Sequence, residues 1–129
     1  MPTELRLLAY SAILTWLMII IASMLRARGD LRIAFGNREA LPEQSPMAGR
    51  AARAAANMLE NMVLFTAVTL VSMTARGEDA HDRVVLGARI FFWARLAYFP
   101  VYVAGITYLR TALWAAGIAG MAIMLSATL

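Results

Sequence analysis

Four apolar segments fill most of this chain, and each is close to the roughly 20 residues that an α-helix needs to cross the hydrocarbon core of a bilayer. They cover about residues 5–27, 48–74, 84–108 and 111–129. In a chain of 129 residues, little remains for a separate soluble domain. The sequence therefore predicts a single domain over residues 1–129. We expect an all-α, integral membrane four-helix bundle whose surroundings are the lipid bilayer.

The composition and the first loop support this prediction. Hydrophobic residues make up 61% of the chain and charged residues 16%, whereas soluble domains are nearer to about half and about a quarter. The first apolar segment is longer than the roughly 7–15-residue core of a signal peptide, and we expect it to be a retained helix. Residues 29–49 carry Pro42 and Pro46, which cannot continue a membrane helix and so predict the longest loop.

All the basic residues are arginines, and they are distributed unevenly between the two ends of the predicted bundle. The end that holds the long first loop carries Arg26, Arg28, Arg32, Arg38, Arg50 and Arg110. The opposite end carries Arg6, Arg76 and Arg83. Flanking basic residues mark the cytoplasmic side of a membrane protein. The sequence therefore predicts a multi-pass protein of the cell (inner) membrane, with the first loop in the cytoplasm and both termini on the outer side.

The residue types present exclude several kinds of chemistry. The chain has no cysteine and a single histidine, His81, so it can form no disulfide and has no thiolate nucleophile. One histidine cannot assemble a metal centre, and we expect no metal site. No basic face exists outside the membrane segments, which argues against nucleic acid as a partner. Any sulfur chemistry must therefore use a thiol from another molecule.

Polar residues on the second apolar segment form one stripe. Arg53, Asn57 and Glu60 are spaced by four and then three residues, which places them on one face of a helix. At about 1.5 Å per residue, Glu60 lies about 10 Å deeper in the membrane than Arg53. A carboxylate at that depth is costly unless it is paired or neutralised.

A second polar face is predicted on the third segment, where Arg95, Tyr98 and Tyr102 follow a spacing of three and then four. The guanidinium of Arg95 near mid-membrane needs a partner, and Glu60 is the expected one. Two interpretations follow. The two charges are a structural ion pair that fixes helix register, or these faces form a polar pocket whose arginines bind carboxylates and whose glutamate binds an ammonium.

Two sequence stretches resemble the MAPEG family, the membrane-associated proteins in eicosanoid and glutathione metabolism. The second segment contains GRAARAAANMLEN at residues 49–61, which resembles the second-helix signature of the family. The third contains ARLAYFPVY at residues 94–102, which resembles the third-helix motif. Length, helix count and helix order agree as well, and the resemblance, to a bacterial-type member, spans nearly the whole chain.

The resemblance implies a homotrimer that binds glutathione, as co-substrate, between neighbouring subunits near the cytosolic side. It implies an enzyme of the transferase or peroxidase type that conjugates or reduces lipophilic electrophiles. By position, the residues that bind glutathione would be Arg53, Asn57, Glu60, Arg95, Tyr98 and Tyr102. The residue that stabilises the thiolate would be Arg110 or Arg95. Arg26 or Arg28 would supply the basic residue that the family has at the end of the first helix.

Two departures from the family pattern keep a second function open. Leu64 occupies a position where many members have proline, and Ala56 one where some members have an additional arginine. The missing proline and the imperfect register of Arg110 with the family's thiol-activating arginine favour a non-enzymatic accessory or binding protein on the same scaffold. A small transporter or channel is the third hypothesis, and the lack of an internal repeat argues against it.

Overall fold

The computed structural model of the chain describes residues 1–39 and 41–129, and these residues form five helices and no strand. The helices are α1 (Thr3–Arg26), α2 (Leu31–Phe35), α3 (Pro46–Ser72), α4 (Glu78–Val103) and α5 (Thr107–Thr128). All except the short α2 are long and apolar enough to cross a membrane. This arrangement confirms the predicted all-α, four-helix membrane fold.

The four long helices run alternately in opposite directions. The start of α3 lies beside the end of α4, where Arg50 Nε donates to the carbonyl of Val103 at 2.8 Å. At the other end of the bundle, Arg83 on α4 donates to Ser126 Oγ on α5 at 2.7 Å. We call the end that holds residues 27–45 and 104–106 the loop end. The other, with residues 73–77 and both termini, is the terminal end.

Local sequence signals set the starts of α3 and α4. Ser45 precedes α3, and its Oγ accepts a hydrogen bond from the amide of Ala48 at 3.1 Å, while Pro46 occupies the first helical position. Gly77 precedes α4 with a φ of +89°, and Glu78 opens the first turn, where a negative charge is favourable. The polar residues from Glu78 onward are therefore helical, although the hydropathy pattern predicts the third helix only from residue 84.

The end of α4 also differs from the predicted boundary. Gly105 has a φ of +82°, and its amide donates to the carbonyl of Tyr102 at 3.0 Å, while the amide of Ile106 donates to that of Val101 at 3.2 Å. These two bonds form a Schellman motif, which ends a helix at a left-handed glycine. The predicted third helix ran to residue 108, but this motif ends α4 at Val103. As a result α5 begins at Thr107 rather than at residue 111.

The predicted first loop contains one more element. Helix α2 is a single turn whose first residues are capped by Asp30, because its carboxylate accepts a hydrogen bond from the amide of Arg32 at 2.9 Å. Arg26 and Arg28 bind this loop to the bundle by donating to the carbonyls of Pro42 and Glu43. These bonds hold residues 42–43, just before α3, against the end of α1.

Close packing between α4 and α5 depends on glycine. A β-carbon on Gly87 would stand 2.3 Å from the carbonyl oxygen of Gly120, so the two backbones touch directly. The small residues at 117–120 of α5 allow this close approach. Between α3 and α4, the core contains the rings of Phe65 and Phe91, stacked at 3.9 Å.

Candidate functional site

Arg95 lies inside the bundle, where only 1% of it is exposed, and it heads the large side chains that the described structure buries fully. Its Nη2 donates to Asn57 Oδ1 at 2.8 Å, and its Nε lies 3.3 Å from Met58 Sδ. Its Cζ stands 4.1 Å from the centre of the Tyr98 ring. A buried guanidinium needs polar or aromatic partners. Here an amide, a thioether and an aromatic face supply them.

Neighbouring residues fix this arrangement from two sides. Asn61 Nδ2 donates to the backbone carbonyl of Asn57 at 2.9 Å and approaches its Oδ1 at 3.3 Å, which holds the Asn57 amide in place. On α5, Gly117 provides room, because a β-carbon there would stand 3.4 Å from Arg95 Cδ. Arg95 Nη1 is buried without a hydrogen-bond partner among the described residues. One strong donor of this guanidinium is therefore still available.

The expected partner of Arg95, Glu60, is not the one that the structure uses. Glu60 is exposed on the outer surface of α3, and Asn57 takes its place. The reason is rotation around the helix. Successive residues turn by about 100°, so Glu60 points almost the same way as Arg53, while Asn57 is turned about 40–60° from both, toward α4. The predicted stripe thus divides into an inward amide and two outward charges.

Beside Arg95 a cleft of about 280 Å³ opens between α3, α4 and α5. Four of the predicted site residues line it: Asn57, Tyr98, Tyr102 and Arg110. The Tyr98 and Tyr102 rings meet edge to face at 5.5 Å, and Arg110 Cζ stands 4.5 Å from the centre of the Tyr102 ring. We call this space the tyrosine cleft. It presents hydroxyl groups, an amide and one guanidinium to a ligand.

Two residues of the tyrosine cleft were not among the predicted site residues. Thr111 and Trp114 complete its wall, and Trp114 is 40% exposed there. Helical spacing could have indicated both residues as neighbours of Arg110, because all three lie within about one turn of a helix that begins at Thr107.

A second opening, of about 350 Å³, lies between α1 and α3 at the loop end. Its floor is apolar and made largely of small residues, and its rim carries polar groups. The floor includes Ala22, Ala52, Ala55, Ala56 and Leu59, and the rim is Arg26, Arg38 and Gln44. We call it the arginine-rimmed groove. Arg26 borders it, whereas Arg28 is exposed and donates to the carbonyl of Glu43 at 2.9 Å.

The outward charges of α3 stand between these two openings. Going around the helix at about 100° per residue, Ala56 faces the arginine-rimmed groove and Asn57 faces the tyrosine cleft. Arg53 and Glu60 fall on the strip between them, and both are exposed. The structure thus brings together Asn57, Arg95, Tyr98, Tyr102 and Arg110. It leaves Arg53 and Glu60 on the adjoining surface strip.

A model of the MAPEG family matches residues 7–129, which is nearly the whole chain. The chain belongs to the MAPEG family. A comparison with curated proteins gives no match. The resemblance carried by residues 49–61 and 94–102 is therefore confirmed. This MAPEG protein is a multi-pass membrane protein of a family associated with glutathione and eicosanoid metabolism.

The two departures from the family pattern have visible effects in this MAPEG protein. α3 is one uninterrupted helix that continues through Leu64 to Ser72. Ala56 has no polar side chain to offer, and its methyl group forms part of the apolar floor of the arginine-rimmed groove. Cationic groups at that groove come from the end of α1 and from the first loop instead.

Proposed function

We propose that this MAPEG protein is a glutathione-dependent membrane enzyme of the transferase or peroxidase type, acting on lipophilic electrophiles. The observation that carries the proposal is the tyrosine cleft, in which Asn57, Tyr98, Tyr102 and Arg110 meet beside buried Arg95. Glutathione has two carboxylates, an ammonium and a thiol. The residues in and beside the cleft offer a complementary set of guanidinium, carboxylate, amide and hydroxyl groups.

In this proposal the strip on α3 binds the charged ends of glutathione. Arg53 binds a carboxylate through two parallel hydrogen bonds, and Glu60 binds the ammonium. Asn57, Tyr98 and Tyr102 contact the peptide backbone of the ligand from the cleft side. Arg95 contributes indirectly, because it holds the Asn57 amide and lies against the Tyr98 ring.

The exposed position of Glu60 supports the proposed homotrimer with an intersubunit site. Glu60 lies 14 residues after the start of α3 and 12 before its end, so it is about 20 Å from either end and near mid-membrane. A carboxylate facing hydrocarbon at that depth is expensive. A neighbouring subunit and a ligand ammonium that cover Glu60 would remove this cost, which a monomer in lipid would retain.

Arg110 is the better placed of the two candidate thiolate-stabilising arginines. Arg95 is fully buried and bonded to Asn57, whereas Arg110 lines the open cleft. A guanidinium beside a thiol lowers the pKa of that thiol by favouring the thiolate. The glutathione thiol then loses its proton to solvent, and the sulfur forms a bond to the electrophilic atom. In a conjugation by displacement, the leaving group departs with the bonding electron pair.

The alternative is a non-enzymatic membrane accessory or binding protein on the MAPEG scaffold. Two observations favour it, namely the uninterrupted α3 at Leu64 and the apolar Ala56. Such a protein would bind glutathione or a lipophilic molecule without turnover. The two functions therefore make the same prediction for binding and opposite predictions for catalysis.

Binding is the first test, and it uses the purified protein in nanodiscs with titration calorimetry of glutathione. Arg53→Ala and Glu60→Ala should each weaken binding at least about tenfold, as expected for loss of a charge-assisted contact of about 1.5–3 kcal/mol. Arg76→Ala, which removes an exposed arginine at the terminal end, is the matched control and should bind as the native chain does. If the native chain does not bind glutathione, both the proposed enzyme and an accessory protein that binds glutathione are refuted.

Turnover is the second test and separates the enzyme from the accessory protein. A lipophilic chloronitrobenzene and an organic hydroperoxide probe conjugation and reduction, respectively, in the same nanodiscs. Turnover that falls at least about tenfold in Arg110→Gln, with binding retained, is the expected result. Native binding without turnover of either probe class would favour the accessory protein. A mass measurement of the particles that gives a monomer would contradict the intersubunit site.

A further inference from the structure

An apolar groove of about 240 Å³ runs along the outside of the bundle between α1 and α4, apart from both openings described above. Almost all of its surface is apolar, and it is lined by Tyr10, Ile13, Leu14, Leu17, Phe92 and Leu96. The Tyr10 and Phe92 rings meet across it with their centres 6.1 Å apart. We call it the α1–α4 groove. Its apolar lining suits a hydrocarbon chain.

Two arginines stand at the terminal end of this groove, one on each helix. Arg6 lies four residues before Tyr10 on α1, and Arg89 lies three residues before Phe92 on α4. Because Tyr10 and Phe92 are opposite each other, both arginines lie about one turn, or roughly 5 Å, from that point in the same direction. Each continues the line of groove residues on its own helix, at spacings of three or four.

The orientation of the helices points both guanidinium groups toward the same membrane face. α1 and α4 both run from the terminal end to the loop end. Side chains of a helix lean toward its N-terminus, so long arginine side chains on these two helices extend toward the terminal end. Arg6 and Arg89 are both exposed. Arg6 Nη2 makes one long hydrogen bond, to the carbonyl of Met1 at 3.4 Å. The other donors of Arg6 and those of Arg89 are left to meet a group at the headgroup level above the groove.

The acidic side chains of α1 and α4 do not neutralise Arg6 and Arg89 at the membrane depth of these two arginines. Glu4 on α1 is 5% exposed, since it faces the interior of the bundle. The acids at the start of α4 end at Asp82, seven residues before Arg89, which is about 10 Å further out. The groove therefore has two adjacent positive charges at its mouth and hydrocarbon below them.

We propose that the α1–α4 groove binds an anionic phospholipid of the leaflet at the terminal end. The lipid phosphate lies between Arg6 and Arg89, which suit it as paired guanidinium donors. One acyl chain lies along the groove from Tyr10 toward Leu17 and Leu96. This inference rests on a different face of the molecule from the glutathione site and does not depend on the proposed enzyme function.

The test uses the full chain purified from mixed micelles that contain phosphatidylglycerol and phosphatidylcholine with the same acyl chains in equal amounts. Mass spectrometry then gives the ratio of the two lipids retained by the protein. The native chain should retain phosphatidylglycerol with a preference of about thirtyfold, since each arginine near the lipid surface contributes about 1 kcal/mol. The double variant Arg6→Gln/Arg89→Gln should lose this preference, and Arg76→Gln, at the same end but outside the groove, should keep it.

A second variant tests the groove without altering the charges. Ile13→Trp fills the space below the arginines, and it should reduce the amount of retained lipid while circular dichroism shows unchanged helix content. Equal retention of the two lipids by the native chain would overturn the proposal. So would an unchanged preference in the double variant. A change of oligomer mass in the double variant would assign this face to contact between subunits and would overturn it as well.

Discussion

The contact between Asn57 and Arg95 yields a stability prediction that can be worked out from the structure. Asn57→Leu keeps the approximate size of the side chain but removes the acceptor that lies 2.8 Å from Arg95 Nη2. A hydrogen bond to a charged group contributes about 1.5–3 kcal/mol, and leaving a buried charge unpaired costs up to about 3–5 kcal/mol. The contact with the Tyr98 ring remains and limits the loss. We therefore expect a destabilisation of about 3 kcal/mol.

A double-mutant cycle isolates this interaction. Arg95→Met removes the charge and keeps an apolar stem in the space beside Gly117. The double variant Asn57→Leu/Arg95→Met should be less destabilised than the sum of the single variants by about 2 kcal/mol, because no unpaired charge is left. Reversible unfolding in mixed micelles, followed by helical circular dichroism, measures all four proteins. Asn37→Leu, at an exposed loop position, is the control and should change stability by less than about 0.5 kcal/mol.

Two results would refute the reasoning. One is an Asn57→Leu variant that is as stable as Asn37→Leu. The other is an additive cycle, in which the double variant loses the sum of the two single losses. Either result would mean that the Arg95 guanidinium obtains its main stabilisation elsewhere, for example from the Tyr98 ring.

Three further predictions test packing, chemistry and orientation. Gly87→Ala should lower the free energy of unfolding by about 1–3 kcal/mol in the same assay, because its β-carbon would stand 2.3 Å from the Gly120 carbonyl oxygen. Gly117→Ala, whose nearest contact would be at 3.4 Å, should lower it by less than about 1 kcal/mol. Equal losses in the two variants would contradict the backbone contact. If Arg110 stabilises the thiolate as proposed, Arg110→Gln should raise the pKa of the thiol of bound glutathione by one unit or more and lower the fraction of thiolate at neutral pH, measured from the thiolate absorbance against pH. The native chain has no cysteine, so Phe35→Cys introduces a single thiol, at a position in α2 that is 84% exposed. If the loop end faces the cytoplasm, this thiol should react with a membrane-impermeant maleimide only after cells are opened. Reaction in intact cells would reverse the predicted orientation.

The four membrane-spanning helices could be predicted from the sequence, whereas the residues at which they begin and end could not. The bilayer requires about 20 apolar residues per crossing, so hydropathy alone marks four helices. It does not mark where the backbone stops being helical. Gly77 and Gly105, with their left-handed φ values, set the limits of α4, which begins at Glu78, before the predicted residue 84, and ends at Val103, before the predicted residue 108. Helix α2 could not be predicted either, because its five residues are too few to show a helical period.

The sequence predicts four of the residues that line the tyrosine cleft, but it misses Thr111 and Trp114 and gives Arg95 the wrong partner. Helical spacing places Arg53, Asn57 and Glu60 on one face, but a face is broad, and a rotation of about 60° separates a buried residue from an exposed one. Which of them meets Arg95 depends on how α3 is turned against α4, and this is set by core contacts such as the Phe65–Phe91 stack. Spacing along one helix carries no information about that angle.

The structure changes the choice between a structural and a functional interpretation of the intramembrane charges. An Arg95–Glu60 pair would have used both charges within one subunit and left little for a ligand. Asn57 instead satisfies Arg95 with a neutral amide, and this contact joins α3 to α4 beside the tyrosine cleft. The cost of burying Arg95 is thus met without Glu60, whose carboxylate stays exposed with Arg53 on the strip between the two openings. One face of α3 therefore fixes the fold through Asn57 and presents unpaired charge through its neighbours. This division fits the proposed site, in which Arg53 and Glu60 bind the charged ends of glutathione while Asn57 holds α3 against α4.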